Sequence, residues 1–182
     1  MSDFGRFAAY LEFMGIKLDA SSFDSRVRMQ KLAYLLSVLS GKPFTDDFSL
    51  YIRGPYSTEL ADYYYGNKKR GRSMPEKSAI EEKFRKELER VDFVKELPTT
   101  QLEIMATLHR LEELGFDEER AIGRIQVLKP SFGLDEIIRG LNNLKRFMLT
   151  DEDRKRILKL MEGEFKLWDN VVADGLAIEK DL

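Results

Sequence analysis

Arg26, Gln30 and Tyr34 recur at intervals of four, which on a helix sets a guanidinium, an amide and a phenol in one line along one face. Lys31 sits beside that line. Further on, Tyr51 and Arg53 share one face of an extended stretch. Gly54-Pro55 then fixes the direction in which Tyr56 and the next helix emerge. If the two polar surfaces meet, they enclose a cleft of cationic and phenolic groups fit to bind a partner. The competing reading has Gln30 and Tyr34 hydrogen-bonding the turn and tying strand to helix, since buried polar groups are satisfied internally. The candidate cleft is Arg26, Gln30, Lys31, Tyr34, Tyr51, Arg53, Gly54, Pro55 and Tyr56.

A second chemistry lies just beyond. Tyr63, Tyr64 and Tyr65 precede a stretch, residues 67–77, with five positive charges against Glu76. Aromatic faces stack bases and clustered cations contact phosphates, so Lys68, Lys69, Arg70 and Arg72 are nucleic-acid candidates. A solvated loop is the alternative, because charge runs often serve solubility. Successive helical residues turn by roughly 100°, so three tyrosines in a row cannot all face one way. The pair of helical segments over 117–146 has the layout of a helix-turn-helix, although helical hairpins also occur as packing units.

The inventory argues against catalysis. The 182-residue chain has no cysteine and one histidine, which excludes thiolate sites and His-rich metal centres. His109 reads as a partly buried structural imidazole, and the carboxylate pairs Asp46-Asp47 and Asp151-Asp153 as capping or loop residues. No cofactor and no metal are expected. Thirty basic against 32 acidic residues leave a net charge of −2, so nucleic-acid binding would need a local patch. No apolar run reaches the roughly 20 residues that span a bilayer, and MSDFGRFAAYLEF lacks a signal-peptide pattern. A cytoplasmic protein with no membrane contact is the expectation.

The elements that must position these residues are mostly helical. Phe4, Phe7, Ala8 and Leu11 predict a short helix over 3–13 that stops at Gly15. Asp24 is the expected N-cap of a second helix over 25–40, apolar around most of its circumference and therefore central. Alternation of Phe48, Leu50 and Ile52 with Ser49, Tyr51 and Arg53 predicts one half-buried strand, broken by Gly54-Pro55. Ser57 is the expected cap of a third helix that stops at Gly66-Asn67. Ile80, Phe84, Leu88, Val91 and Val94 form an apolar seam ending at Pro98. Helices follow from Thr99 or Thr100 to Gly115, from Asp117 to Pro130, and from about Leu134. Thr150 and Asp153 open a last helix with an apolar stripe through Ile157, Met161, Phe165, Trp168 and Val172. Its second row, Leu160, Leu167 and Val171, suits deep burial or a second copy of the chain.

The expected fold is therefore mainly α: a multi-helix single domain, 1–182, with a small β element near residues 48–53. Subdomains 1–66 and 78–182, joined by the basic loop 67–77, are the fallback.

Gln30-Lys31-Leu32-Ala33-Tyr34-Leu35, followed by Arg53-Gly54-Pro55-Tyr56-Ser57-Thr58-Glu59-Leu60, resembles the YwgA-like and Panacea-domain proteins of prokaryotes. There a QKL-x-Y-L helix precedes an aromatic strand and a Gly-Pro turn into a helix. Leu128-Lys129-Pro130-Ser131-Phe132 is similar to the C-terminal half of that group. Tyr56 stands where Panacea proteins usually carry valine or isoleucine. The resemblance implies a mostly helical regulatory protein, antitoxin-like or adaptor-like, acting through protein contacts. The expected function is thus non-catalytic protein–protein interaction centred on the Gly-Pro turn, with an unidentified protein partner. The alternative is a nucleic-acid-binding regulator using residues 67–77 or the hairpin 117–146.

Overall fold

The computed structural model describes residues 3–70 and 80–162, with backbone alone over 66–70. The fold is mainly α with one two-stranded sheet. One compact unit runs from Met1 to Phe147, and Met148–Leu182 forms a second.

In the first unit, α1 (Phe4–Phe13) begins at an Asp3 cap that accepts from the Arg6 amide, and Gly15 follows with φ +69°. Helix α2 (Phe23–Ser40) is capped by Ser22 rather than Asp24. The Ser22 and Ser25 side chains each accept from the other's backbone amide, a reciprocal box that satisfies two orphan donors. Asp24, in the first turn, accepts instead from the Thr99 hydroxyl at 2.8 Å. Thr99 therefore opens α5 (Thr99–Glu113) without capping it.

Helices α2 and α5 pack against each other at the centre of the core. Leu32, Leu36, Leu102, Ile104, Met105 and Leu108 are wholly or almost wholly buried. Both chain segments flanking residues 71–79 thus share one core. The apolar seam after residue 80 divides: α4 (Glu82–Arg90) ends at Val91, and a 3-10 turn, Asp92–Glu96, carries Val94 inward. Arg28 of α2 holds that turn by donating to the carbonyls of Leu97 and Lys95. Helices α6 (Glu118–Leu128) and α7 (Leu134–Met148) form the expected hairpin, bridged by Lys145 and Glu118 at 2.6 Å. Against α5, α7 comes so close at Gly140 that a Cβ there would lie 2.3 Å from Ile104 Cγ2.

The β element differs from the expected single strand. β1 (Ser49–Tyr51) pairs antiparallel with β2 (Gly54–Tyr56), Ser49 opposite Tyr56 and Tyr51 opposite Gly54. Ile52 and Arg53 are the turn, and Gly54-Pro55 is the returning strand. Neither turn residue has a positive φ, which excludes the primed two-residue turns. Gly54, at φ +79°, is the first residue of the returning strand, opposite Tyr51. Ile52 consequently sits at the tip, 86% exposed, rather than on a buried face.

Helix α3 (Thr58–Arg70) continues through Gly66-Asn67, where the sequence predicts a stop. A mid-helix glycine costs about 1 kcal/mol relative to alanine, and the following Lys68, Lys69 and Arg70 suit a helix C-terminus. In the second unit, residues 151–162 are helical, opened by reciprocal bonds between Thr150 and Asp153. Ile157, Leu158, Leu160 and Met161 are exposed there. Phe165, Leu167, Trp168, Val171 and Val172 lie outside the described residues.

Candidate functional site

Gln30 clasps the entry to α3 from both sides. Its Nε2 donates to the Ser57 carbonyl and its Oε1 accepts from the Ser57 amide, both at 2.9 Å. Nε2 also reaches the Tyr64 hydroxyl at 3.3 Å. Ser57 Oγ in turn accepts from the Leu60 amide, the expected capping bond. Asp47 adds a second acceptor, taking the Thr58 hydroxyl and the Glu59 amide. Burial pushes its carboxyl up, but hydrogen bonds from Ser57, Thr45, Glu59 and Thr58 prevail and hold it well below the usual range.

Beside Gln30, Lys31 is 1% exposed, and its Nζ donates to the Pro55 carbonyl at 2.6 Å. From the other side, α5 presses Thr107 against Gly54, where a Cβ would lie 2.3 Å from Thr107 Oγ1. Glu103, 2% exposed, pairs through Oε1 with Lys129 and through Oε2 with Arg53 Nη1 at 3.3 Å. The hairpin is therefore clamped between α2 and α5. Burial lowers the pKa of Lys31 to about 7 and lowers that of Lys129.

Between α2, the hairpin and the start of α3 opens a cleft of about 380 Å³. Seven of the nine candidates line it: Arg26, Gln30, Lys31, Tyr51, Arg53, Gly54 and Tyr56. Phe23, Val27, Ile52, Tyr64 and Tyr65 complete the wall, so the lining holds the two guanidinium groups of Arg26 and Arg53, the buried Lys31 amine and, among the described residues, no carboxylate. The guanidinium of Arg26 lies 5.7 Å from the Tyr65 ring centre and that of Arg53 lies 5.2 Å from the Phe23 ring. Tyr51 and Tyr56 meet edge-on, with centroids 5.4 Å apart.

The line Arg26-Gln30-Tyr34 does not stay together. Pro55 contributes its carbonyl behind the cleft, and Tyr34 joins a second cavity, of about 540 Å³, with His109, Arg110 and Glu113. A carboxylate can only accept, so the Tyr34 hydroxyl proton goes to Glu113 Oε2 at 2.9 Å. His109 Nδ1, 2.8 Å from the phenol oxygen, must then carry the hydrogen of that second bond. Burial first, then the Glu113 bond, pushes the Tyr34 phenol up, and burial lowers His109, which stays neutral at pH 7.

Helical rotation turns Tyr63 away while Tyr64 and Tyr65, with ring centres 5.0 Å apart, both reach the cleft. Tyr63 stacks on Phe4 at 4.6 Å, Tyr64 meets Gln30, and Tyr65 underlies Arg26. Their spacing was the available signal for Tyr64 and Tyr65, whereas nothing local marks Glu103, Thr107 or Lys129 as partners of the hairpin. Of the phosphate candidates, Lys68, Lys69 and Arg70 fall on the backbone of α3. Their side chains, and all of Arg72, lie outside the described residues. In the helical hairpin, Lys145 pairs with Glu118 and Arg146 stacks on Phe93 at 3.9 Å, while Asp135 and Glu136 occupy the first turn of α7.

Among the described residues, no helix is long and apolar enough to cross a membrane, and no three metal-ligating side chains gather. No family model, curated protein or solved structure matches the chain.

Proposed function

We propose that this is a non-catalytic interaction protein of regulatory type, whose contact surface is the cleft between α2, the β1–β2 hairpin and α3. One observation carries the reading. Phe23, Tyr51, Ile52 and Tyr65, exposed by 59, 57, 86 and 47%, all stand around the mouth of the same cleft. A small molecule would be served by the cavity alone. A contiguous apolar rim around it is the mark of a macromolecular partner, with aromatic and arginine side chains as anchors. The cations of the lining favour an acidic segment of that partner. The resemblance to YwgA-like and Panacea-domain proteins points the same way.

The test is a photo-crosslinking amino acid placed at Tyr51, with Val127, 73% exposed on α6, as control position. A discrete adduct from position 51, absent at 127 and lost on adding Ile52→Asp at the hairpin tip, supports the reading. Equal adducts from both positions, or none from either, overturn it.

A further inference from the structure

The chemistry of the partner follows from how the two arginines of the cleft are held, and this inference rests on the reading just given. Each guanidinium commits a single nitrogen to the protein. Arg26 Nη1 donates to the Ala20 carbonyl at 3.2 Å and lies 3.5 Å from that of Ser21. Arg53 Nη1 pairs with Glu103. Nε and Nη2 of both make no hydrogen bond among the described residues. Each group also lies near an aromatic ring, Arg26 5.7 Å from the centre of Tyr65 and Arg53 5.2 Å from that of Phe23. A fork of N–H donors matches the two oxygens of a carboxylate, and the aromatic neighbours and the bonds already made at Nη1 restrict how each guanidinium can turn.

Glu103, the carboxylate of this cluster, is already shared by Lys129 and Arg53. Much of the rest of the wall is aromatic: Tyr51, Tyr56, Tyr64 and Tyr65 line one cavity of about 380 Å³. That volume lies in the range of sites that enclose a compact group. Aromatic pairs prefer offset or edge-on contacts, the geometry in which Tyr51 and Tyr56 already meet, and a third ring can join the set in the same way.

We propose that the partner segment seated here carries an aromatic side chain flanked by carboxylates, the ring lodged among the tyrosines and a carboxylate held by Arg26 or Arg53. Recognition is by charge and ring together, so neither a purely acidic nor a purely aromatic segment suffices.

The experiment uses the full chain and four labelled 12-residue peptides identical except at a central triplet: Glu-Phe-Asp, Gln-Phe-Asn, Glu-Ala-Asp and Lys-Phe-Lys. Fluorescence anisotropy should rank Glu-Phe-Asp tightest, by about tenfold over the amide version, the amount expected for a lost charge-assisted bond, and by about tenfold or more over the alanine version, which loses the buried ring. Arg26→Gln should weaken it by a similar factor. Arg26→Lys, which keeps the charge but not the fork, should fall between, and both variants should melt as the wild type does. Equal affinity for Glu-Phe-Asp and Gln-Phe-Asn, or for Glu-Phe-Asp and Glu-Ala-Asp, overturns the proposal. Full competition by adenosine monophosphate overturns it too, by making the occupant a small aromatic anion. If no peptide binds while the Tyr51 crosslink forms, the proposed chemistry is wrong and the interaction surface stands. If both fail, the surface is wrong as well.

Discussion

Gln30 answers the question its spacing raises: it is a clasp and part of a wall at once. Replacing it with alanine leaves the buried Ser57 amide without an acceptor and strips the Ser57 carbonyl of one of its two donors, the Ala61 amide remaining, a loss of about 1–3 kcal/mol. Urea denaturation of Gln30→Ala reads that loss, and a change within the few tenths usual for exposed positions would show the clasp to be idle. Gly54 is constrained twice, by φ +79° and by Thr107. Gly54→Val should cost at least about 1 kcal/mol from the left-handed backbone alone. An unchanged melting temperature would refute that. Lys31 makes stability depend on pH. Burial is the main cause of its descent from 10.5 to about 7; Glu103 opposes it, and Lys129 and Arg53 add to it. Between those two values the unfolded chain holds a proton that the folded one has released, so stability rises with pH across that window. Below about pH 7 both states are charged, and the penalty of burying the ammonium is fully present. Relative to Lys31→Met, the wild type should therefore gain stability from pH 7 to about 9.5 in chemical denaturation. A gap that stays constant over that range would sink the assignment.

Helix ends were legible where one residue decides them. Asp117 caps by its own side chain, and Gly15 and Gly115 close helices with positive φ, as their positions in the sequence predict. Ser22 escaped notice because a capping box needs Ser25 as well, and Asp24 lay between them as a plausible single-residue cap. The hairpin was misread for a physical reason: Ile52 and Arg53 are poor turn formers, and the turn is held by Gly54 and by α2 and α5 behind it. The cleft was half visible. Arg26 and Gln30 share one helix face, and Tyr51 and Tyr56 flank one turn. Glu103 lies 50 positions from Arg53, and Lys129 another 26 on, so only the folded chain joins them. Helix packing offers a paired test. Gly140→Ala pushes a Cβ into Ile104 and should destabilise by about 1–3 kcal/mol despite alanine's better helix propensity. Gly123→Ala on α6, with open space around the new Cβ, should stabilise by up to about 1 kcal/mol. Thermal melts moving in the same direction for both would contradict the close approach of α7 to α5.

The core and the cleft both belong to the compact unit that ends at Phe147. A chain ending at Met148 should therefore fold cooperatively and keep its peptide affinity. Loss of the melting transition would show that the first unit does not stand alone. Size-exclusion chromatography of the same truncation tests the second-copy role of the last helix, whose described part exposes Ile157, Leu158, Leu160 and Met161. The positive cleft sits on a chain whose net charge is −2. Beyond one Debye length, about 8 Å at physiological salt, an acidic partner meets a weakly negative body and little to draw it in. The arginines act only on arrival, so the cleft governs how long a partner stays rather than how fast it comes. In stopped-flow mixing, Arg26→Gln should shorten the lifetime of the Glu-Phe-Asp complex about tenfold while leaving its association rate nearly untouched.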